Sequence, residues 1–121
     1  MSGARLVIEQ VKDVTVVTFS DTTVVEGQHI EQIRRELAEL VEKKNRSKLV
    51  LDMARVSHLS STALGMLIPL ADKTRELKGD LVLLGVQPSI RKVFKITKLE
   101  KKFKFKATEA EALKVFGVAV D

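Results

Sequence analysis

Cysteine, tryptophan and tyrosine are absent from the 121 residues, and there are only two histidines and five phenylalanines. Without cysteine there can be no disulfide, thiolate zinc site, iron–sulfur ligation or cysteine nucleophile, and the chain suits a reducing compartment. No apolar run approaches the roughly 20 residues needed to cross a bilayer, so no membrane insertion is expected. The start, Met1-Ser2-Gly3-Ala4-Arg5, leads into no signal-like apolar stretch, and a cytoplasmic protein is expected. Neither Gly-x-Gly-x-x-Gly nor Gly-x-x-x-x-Gly-Lys-Ser/Thr occurs, which leaves out the dinucleotide fingerprint and the Walker loop.

The two histidines, His29 and His58, lie far apart in sequence, and a metal site would need a third ligand. No metal and no cofactor are expected. Asp52, His58 and Ser61 are the residue types of a hydrolase triad, but the Gly-x-Ser-x-Gly elbow is missing. His58 is expected to hydrogen-bond locally, and no catalytic residue is assigned. Phenylalanine is the only aromatic for base stacking, so nucleic acid is not the expected partner.

What the chain does contain is 45% hydrophobic and 31% charged residues, the mixture of a soluble globular protein. Its length suits one domain, spanning residues 1–121, that can bury about two-thirds of its unfolded surface without a metal or disulfide. The net charge of +5 is concentrated. Between Arg91 and Lys106 there are eight basic residues and one acid, Glu100, whereas the other 105 residues carry 13 basic and 15 acidic side chains. Such a run is ordinarily a solvated face; its functional alternative is contact with an acidic partner or an anionic membrane surface.

Hydrophobic spacing predicts an alternating order of elements. Leu6-Val7-Ile8 begins a first strand, and Val14 to Phe19 forms a second, with Lys12-Asp13 as the hairpin turn. Ile30, Ile33, Leu37, Leu40 and Val41 recur at helical spacing, and Lys43-Lys44-Asn45 closes that helix. Leu49-Val50-Leu51 reads as a strand covered on both faces. Val56 to Ser61 is predicted as a loop, followed by an apolar second helix from Thr62 to about Leu77 with Pro69 inside it. A kink near Gly65 to Pro69 is expected. Lys78-Gly79-Asp80 stops the helix, and Leu81-Val82-Leu83-Leu84 is another buried strand. Pro88 opens a third helix carrying Ile90, Val93 and Phe94, with Leu99 also in view. Phe103 to Lys106 alternates as an edge strand with lysines outward, and Glu109 to about Phe116 is a last short helix. The fold class is therefore α/β: a mixed four- to five-stranded sheet with about four helices. Lys104 and Lys106 guarding the edge argue for a monomer.

One cluster remains, Leu59-Ser60-Ser61-Thr62-Ala63-Leu64-Gly65. Ser60 or Ser61 can cap the second helix, and one cap needs only one hydroxyl. The free amides and positive dipole end at a helix start also tolerate a phosphate. A phosphorylated serine there adds about −1.5 to −2 charges to the surface without opposing the fold.

The stretch Asp52-x-x-x-Val56-x-x-x-Ser60-Ser61-Thr62-Ala63-Leu64-Gly65, together with the element order from Leu6 to about Phe116, resembles the STAS domains of bacterial anti-sigma factor antagonists. In that family the stretch usually reads Asp-Ser-Ser/Thr-Gly-Leu-Gly, and its first serine is phosphorylated by the partner kinase. The resemblance puts the phosphoacceptor on Ser61. Ser60 stands where the family usually has Asp, Ala63 where it has Gly, and Val24 in place of an aspartate after the second strand, with Asp21 nearby. The resemblance implies a non-enzymatic module that binds an anti-sigma factor with serine kinase activity. Its partner surface would comprise Ser60, Ser61, Thr62 and Leu64 together with Asp21, Thr22 and Thr23. Its alternative is a STAS subunit or scaffold of a transporter or signalling complex without phosphorylation. A small-molecule role, such as nucleotide binding near Ser60–Thr62, is a third reading.

Overall fold

The β-branched and leucine-rich runs form the strands. The structure is a computed structural model describing residues 6–19, 23–24 and 27–119, with the backbone alone for 23–24 and 27–30. In chain order its elements are β1 (Leu6–Val11), β2 (Val14–Phe19), β3 (Thr23–Val24), α1 (Gly27–Glu42), β4 (Lys48–Asp52) and β5 (His58–Leu59). They continue with α2 (Ser61–Glu76), β6 (Asp80–Leu84), α3 (Pro88–Ile96), a 3-10 turn at Glu100–Lys102, β7 (Lys104–Lys106) and α4 (Glu109–Lys114). Five strands make one sheet in the order β1-β2-β4-β6-β7, while β3 and β5 form a separate pair. The hairpin β1–β2 is antiparallel and turns at Lys12-Asp13, with Lys12 in the left-handed region at φ 57°. All other neighbours in the main sheet are parallel. The α/β class with a mixed sheet is as the sequence predicts, at the upper end of the expected strand count.

Period-two alternation divides the core into two layers. Val17, Phe19, Leu49, Leu51, Leu81 and Leu83 face one side, where they meet apolar residues of α1, α2 and α3. Val14, Val16, Val50, Val82 and Leu84 face the other, against Ala112 and Leu113 of α4. Parallel crossovers have one preferred hand. Three of them advance in the same direction across β2, β4, β6 and β7, so their helices cover the same face. Leu49, Val50 and Leu51 are all 0% exposed, which explains why that run shows no polar alternation.

At the edge, Phe103 is buried and Phe105 half-buried. Both pack edge-to-face on Phe94, with ring centroids 5.3 and 5.2 Å away. β7 itself is shorter than predicted, with Phe103 just before it. Leu99 lies beyond α3 but still packs on the core, and α4 ends at Lys114 rather than Phe116.

Several local features differ from the sequence reading for identifiable reasons. The segment read as a loop at 56–61 contains β5, which pairs in parallel with β3. Helix α2 begins one residue earlier than predicted, at Ser61, and continues through Pro69 without interruption. Pro69 has no amide to offer the Gly65 carbonyl. Both residues are exposed, so the missing bond lies on the solvent side.

The stop after α2 also works differently from the usual glycine cap. The left-handed residue is Lys78, at φ 67°, whereas Gly79 lies where the backbone passes Ser47. A Cβ on Gly79 would sit 1.9 Å from the Ser47 carbonyl oxygen, which accepts the Asp80 amide at 2.9 Å. Gly79→Ala should therefore lower the unfolding free energy by about 1–3 kcal/mol through overpacking. Lys78→Gly should be neutral to stabilising, because it removes the steric cost of the left-handed backbone. Urea denaturation checks both; equal stability of Gly79→Ala and the parent would refute the close-approach account.

Candidate functional site

All four parallel strands end at the same edge of the sheet, so the helices that follow them start there. The segment from β4 to α2 is fixed at this edge by its own residues. The Met53 amide donates to the Leu84 carbonyl at 2.9 Å, and the Val56 amide donates to the Met53 carbonyl at 3.0 Å. Both side chains are buried, at 1% and 0% exposed, and plug the turn into the core. On the other side, Gln87 Nε2 donates to the Ala54 carbonyl at 3.0 Å.

Ser60 is the N-cap of α2, with extended backbone at φ −74° and ψ 163°. Its Oγ accepts the Ala63 amide at 3.0 Å, and its carbonyl accepts the Leu64 amide at 2.9 Å. Ser61 therefore occupies the first helical position and Thr62 the second. Both side chains are exposed, and neither makes a side-chain hydrogen bond among the described residues. The Ser61 and Thr62 amides have no intrahelical acceptor. No acidic residue lies in the first turn, so the positive end of the helix dipole is uncompensated by the chain's own carboxylates.

The residues predicted as a partner surface separate into three groups. Ser60, Ser61 and Thr62 converge at the α2 start. Leu64 is 5% exposed and faces the core, so its side chain supports the helix instead of offering a contact. Thr23 lies in β3, and its register with β5 pairs Thr23 with His58 and Val24 with Leu59. That pairing brings the segment after β2 beside Ser60. Asp21 and Thr22 lie outside the described residues, as do the side chains of Thr23, Val24 and His29.

Of the triad residue types, Asp52 and His58 are engaged in local side-chain contacts and, among the described residues, Ser61 is not. Asp52 Oδ1 accepts the Ala54 amide at 3.0 Å, and His58 Nδ1 lies 2.8 Å from the Ser57 carbonyl oxygen. His58 thus makes the local contact expected of it.

Sequence reasoning missed the β3–β5 pair and the anchoring by Met53 and Val56. A signal was available for both. Thr22-Thr23-Val24-Val25 is a β-branched run, and Met53 and Val56 are apolar residues set among Asp52, Arg55, Ser57 and His58.

Comparison with known proteins agrees with this geometry. BtrV of Bordetella bronchiseptica, a candidate anti-sigma factor antagonist, is 38% identical over 74 residues. That match covers 61% of this chain and 63% of BtrV, so the aligned segment spans less than two-thirds of the relative. The crystal structure of a candidate anti-sigma factor antagonist from Thermotoga maritima superposes with a TM-score of 0.80 at 18% identity, covering 93% of this chain and 95% of that one. SpoIIAA of Bacillus in its phosphorylated form gives 0.72 at 21% identity, covering 92% and 98%. Its unphosphorylated form gives 0.73 at 22%, covering 93% and 99%. At such identities these structures speak for the fold alone. Residues 5–112 match the STAS domain family, and the chain belongs to it, with an anti-sigma factor antagonist-like fold.

Proposed function

We propose that this chain is a single STAS module, non-enzymatic and cytoplasmic, that regulates a signalling protein by binding it at the α2 start. The partner is an anti-sigma factor with serine kinase activity. The docking surface combines Ser60, Ser61 and Thr62 with the segment carrying Asp21, Thr22 and Thr23. Unmodified, the module sequesters the anti-sigma factor and so frees a sigma factor; phosphate on Ser61 weakens the complex.

The observation carrying this reading is the exposed Ser61 hydroxyl, left free at the first position of α2 because Ser60 already serves as the cap. A phosphate there meets unpaired amides and the positive end of the helix. It adds about −1.5 to −2 charges to a first turn that holds no acid. That changes recognition while leaving the buried side of α2 untouched. SpoIIAA, structurally known in both phosphorylated and unphosphorylated states, shares this fold in each. Lys104 and Lys106, exposed on β7, discourage edge pairing and support a monomer.

Incubation with an anti-sigma factor serine kinase of the same genome and ATP should label Ser61. Ser61→Asp should weaken the complex about tenfold or more, since charge set against an interface that fits the neutral serine is costly. Absence of label, with Ser61→Asp binding like the parent, would favour the reading as a non-phosphorylated scaffold or transporter subunit.

The two serines should also separate in stability. Ser60→Ala, which removes the cap, should cost about 1 kcal/mol. Ser61→Ala, at an exposed position without a bond, should stay within about 0.5 kcal/mol of the parent. Urea unfolding of both variants decides; the reverse order would mean that Ser61 is the structural serine and Ser60 the free one.

A further inference from the structure

The basic segment contains two kinds of cation. Arg91 pairs with Glu100 at 3.2 Å, Lys102 with Asp72 at 3.3 Å and Lys104 with Asp80 at 2.9 Å. Lys92, Lys95, Lys98, Lys101 and Lys106 are exposed and have no ion pair among the described residues; Lys106 ends β7 at the edge where α2 starts, whereas the other four lie in α3 and the turns after it. Ile90 and Phe94 fix which side of α3 is buried. Residues three and four apart share a helix face, so Lys92, Lys95 and Ile96 lie together on the side turned to solvent. Lys98 follows in the turn, its amide bonded to the Lys95 carbonyl at 3.1 Å, and Lys101 lies in the 3-10 turn.

Lys95 and Lys98 also complement the negative end of α3, which would account for them alone. It does not account for Ile96. That side chain is 70% exposed, against 53% for Val7 and 45% for Ile8, and is the most exposed large hydrophobic among the described residues. We infer that the outer face of α3, with Ile96 amid Lys92, Lys95, Lys98 and Lys101, docks reversibly on an anionic phospholipid surface.

Charge complementarity and composition favour this occupant. The unpaired cations are all lysines, whereas protein interfaces favour arginine and deplete lysine. Four or more such charges near one apolar contact suit a layer of anionic headgroups, where attraction is diffuse and needs no fixed geometry. The face is the outside of a helix, which fits a planar surface better than an inserted peptide. Helix α3 runs back from the edge where Ser61 lies, so its basic end is at the opposite edge of the sheet. The inference stands whether or not Ser61 is phosphorylated.

The test is cosedimentation of the full chain with vesicles of phosphatidylcholine containing about one-third phosphatidylglycerol, against pure phosphatidylcholine. Binding is expected on the anionic vesicles only, falling steeply between about 0.05 M and about 0.5 M salt. Lys92→Glu/Lys95→Glu should lower the partition coefficient about 30-fold or more. Ile96→Ser should weaken it several-fold while leaving the salt dependence unchanged. Circular dichroism confirms that these surface variants remain folded. No partition at low salt, or partition indifferent to the charge reversals, overturns the inference. So does binding of polyglutamate that is lost in Lys92→Glu/Lys95→Glu when the vesicles are not bound, because it gives the face to an acidic protein.

Discussion

Parallel pairing of β2, β4 and β6 is the constraint on which the other features depend. Each strand in a parallel run must leave the sheet at the same edge and return by a crossover. The central strand's Leu49, Val50 and Leu51 have no exposure to exchange for another arrangement. A one-residue slip of β4 would exchange the leucine and valine faces across both neighbours. With the register held by Val16–Val50–Val82 on one face and Val17–Leu51–Leu83 on the other, the start of α2 has one position available. The site is thus a property of the sheet as much as of the Ser-Ser-Thr sequence.

Within the site, one hydroxyl serves the helix and the next is left over. The substitution pattern gives this division an electrostatic consequence. An aspartate at position 60 could cap α2 as Ser60 does, but it would place a carboxylate beside Ser61. With serine as cap, the first turn carries no negative charge before modification. A phosphate on Ser61 would therefore bring the first negative charge to this turn, about −1.5 to −2.

Most of the fold was legible because its signals are strong and local. Leu49-Val50-Leu51 announces a strand with two covered faces, Pro88 a helix start, and Phe103-Lys104-Phe105-Lys106 an edge. The β3–β5 pair was not legible because a two-residue strand is defined by its partner, and that partner lies more than thirty residues away. Leu64 was misassigned to the surface for a related reason. A motif orders residues along the chain, whereas a helix distributes them around an axis, turning Ser61, Thr62 and Gly65 outward and Leu64 inward. Gly79 read as a generic helix stop, although the requirement comes from the backbone of Ser47 across the fold. Separating the paired from the unpaired cations of the basic segment likewise required Asp72 and Asp80, which lie outside it.

Helix α2 shows why the site can accept charge without loss of structure. Gly65 and Pro69 both oppose a helix, the proline by about 3 kcal/mol in an ideal interior. Against them, α2 buries Leu64, Met66, Leu67 and Leu70 among its core residues, each contributing about 1.5–3 kcal/mol on burial. Tertiary burial therefore outweighs propensity by a wide margin, and the breakers are confined to the exposed stripe where their cost is least. The same anchoring brackets Ser61. Val56 is sealed in the core ahead of it and Ala63 just behind it, both at 0% exposure. A group added to Ser61 meets solvent and helix amides, while the packing that holds the helix in register lies on the opposite face. Stability and recognition are thereby assigned to different sides of one helix, so either can change without the other.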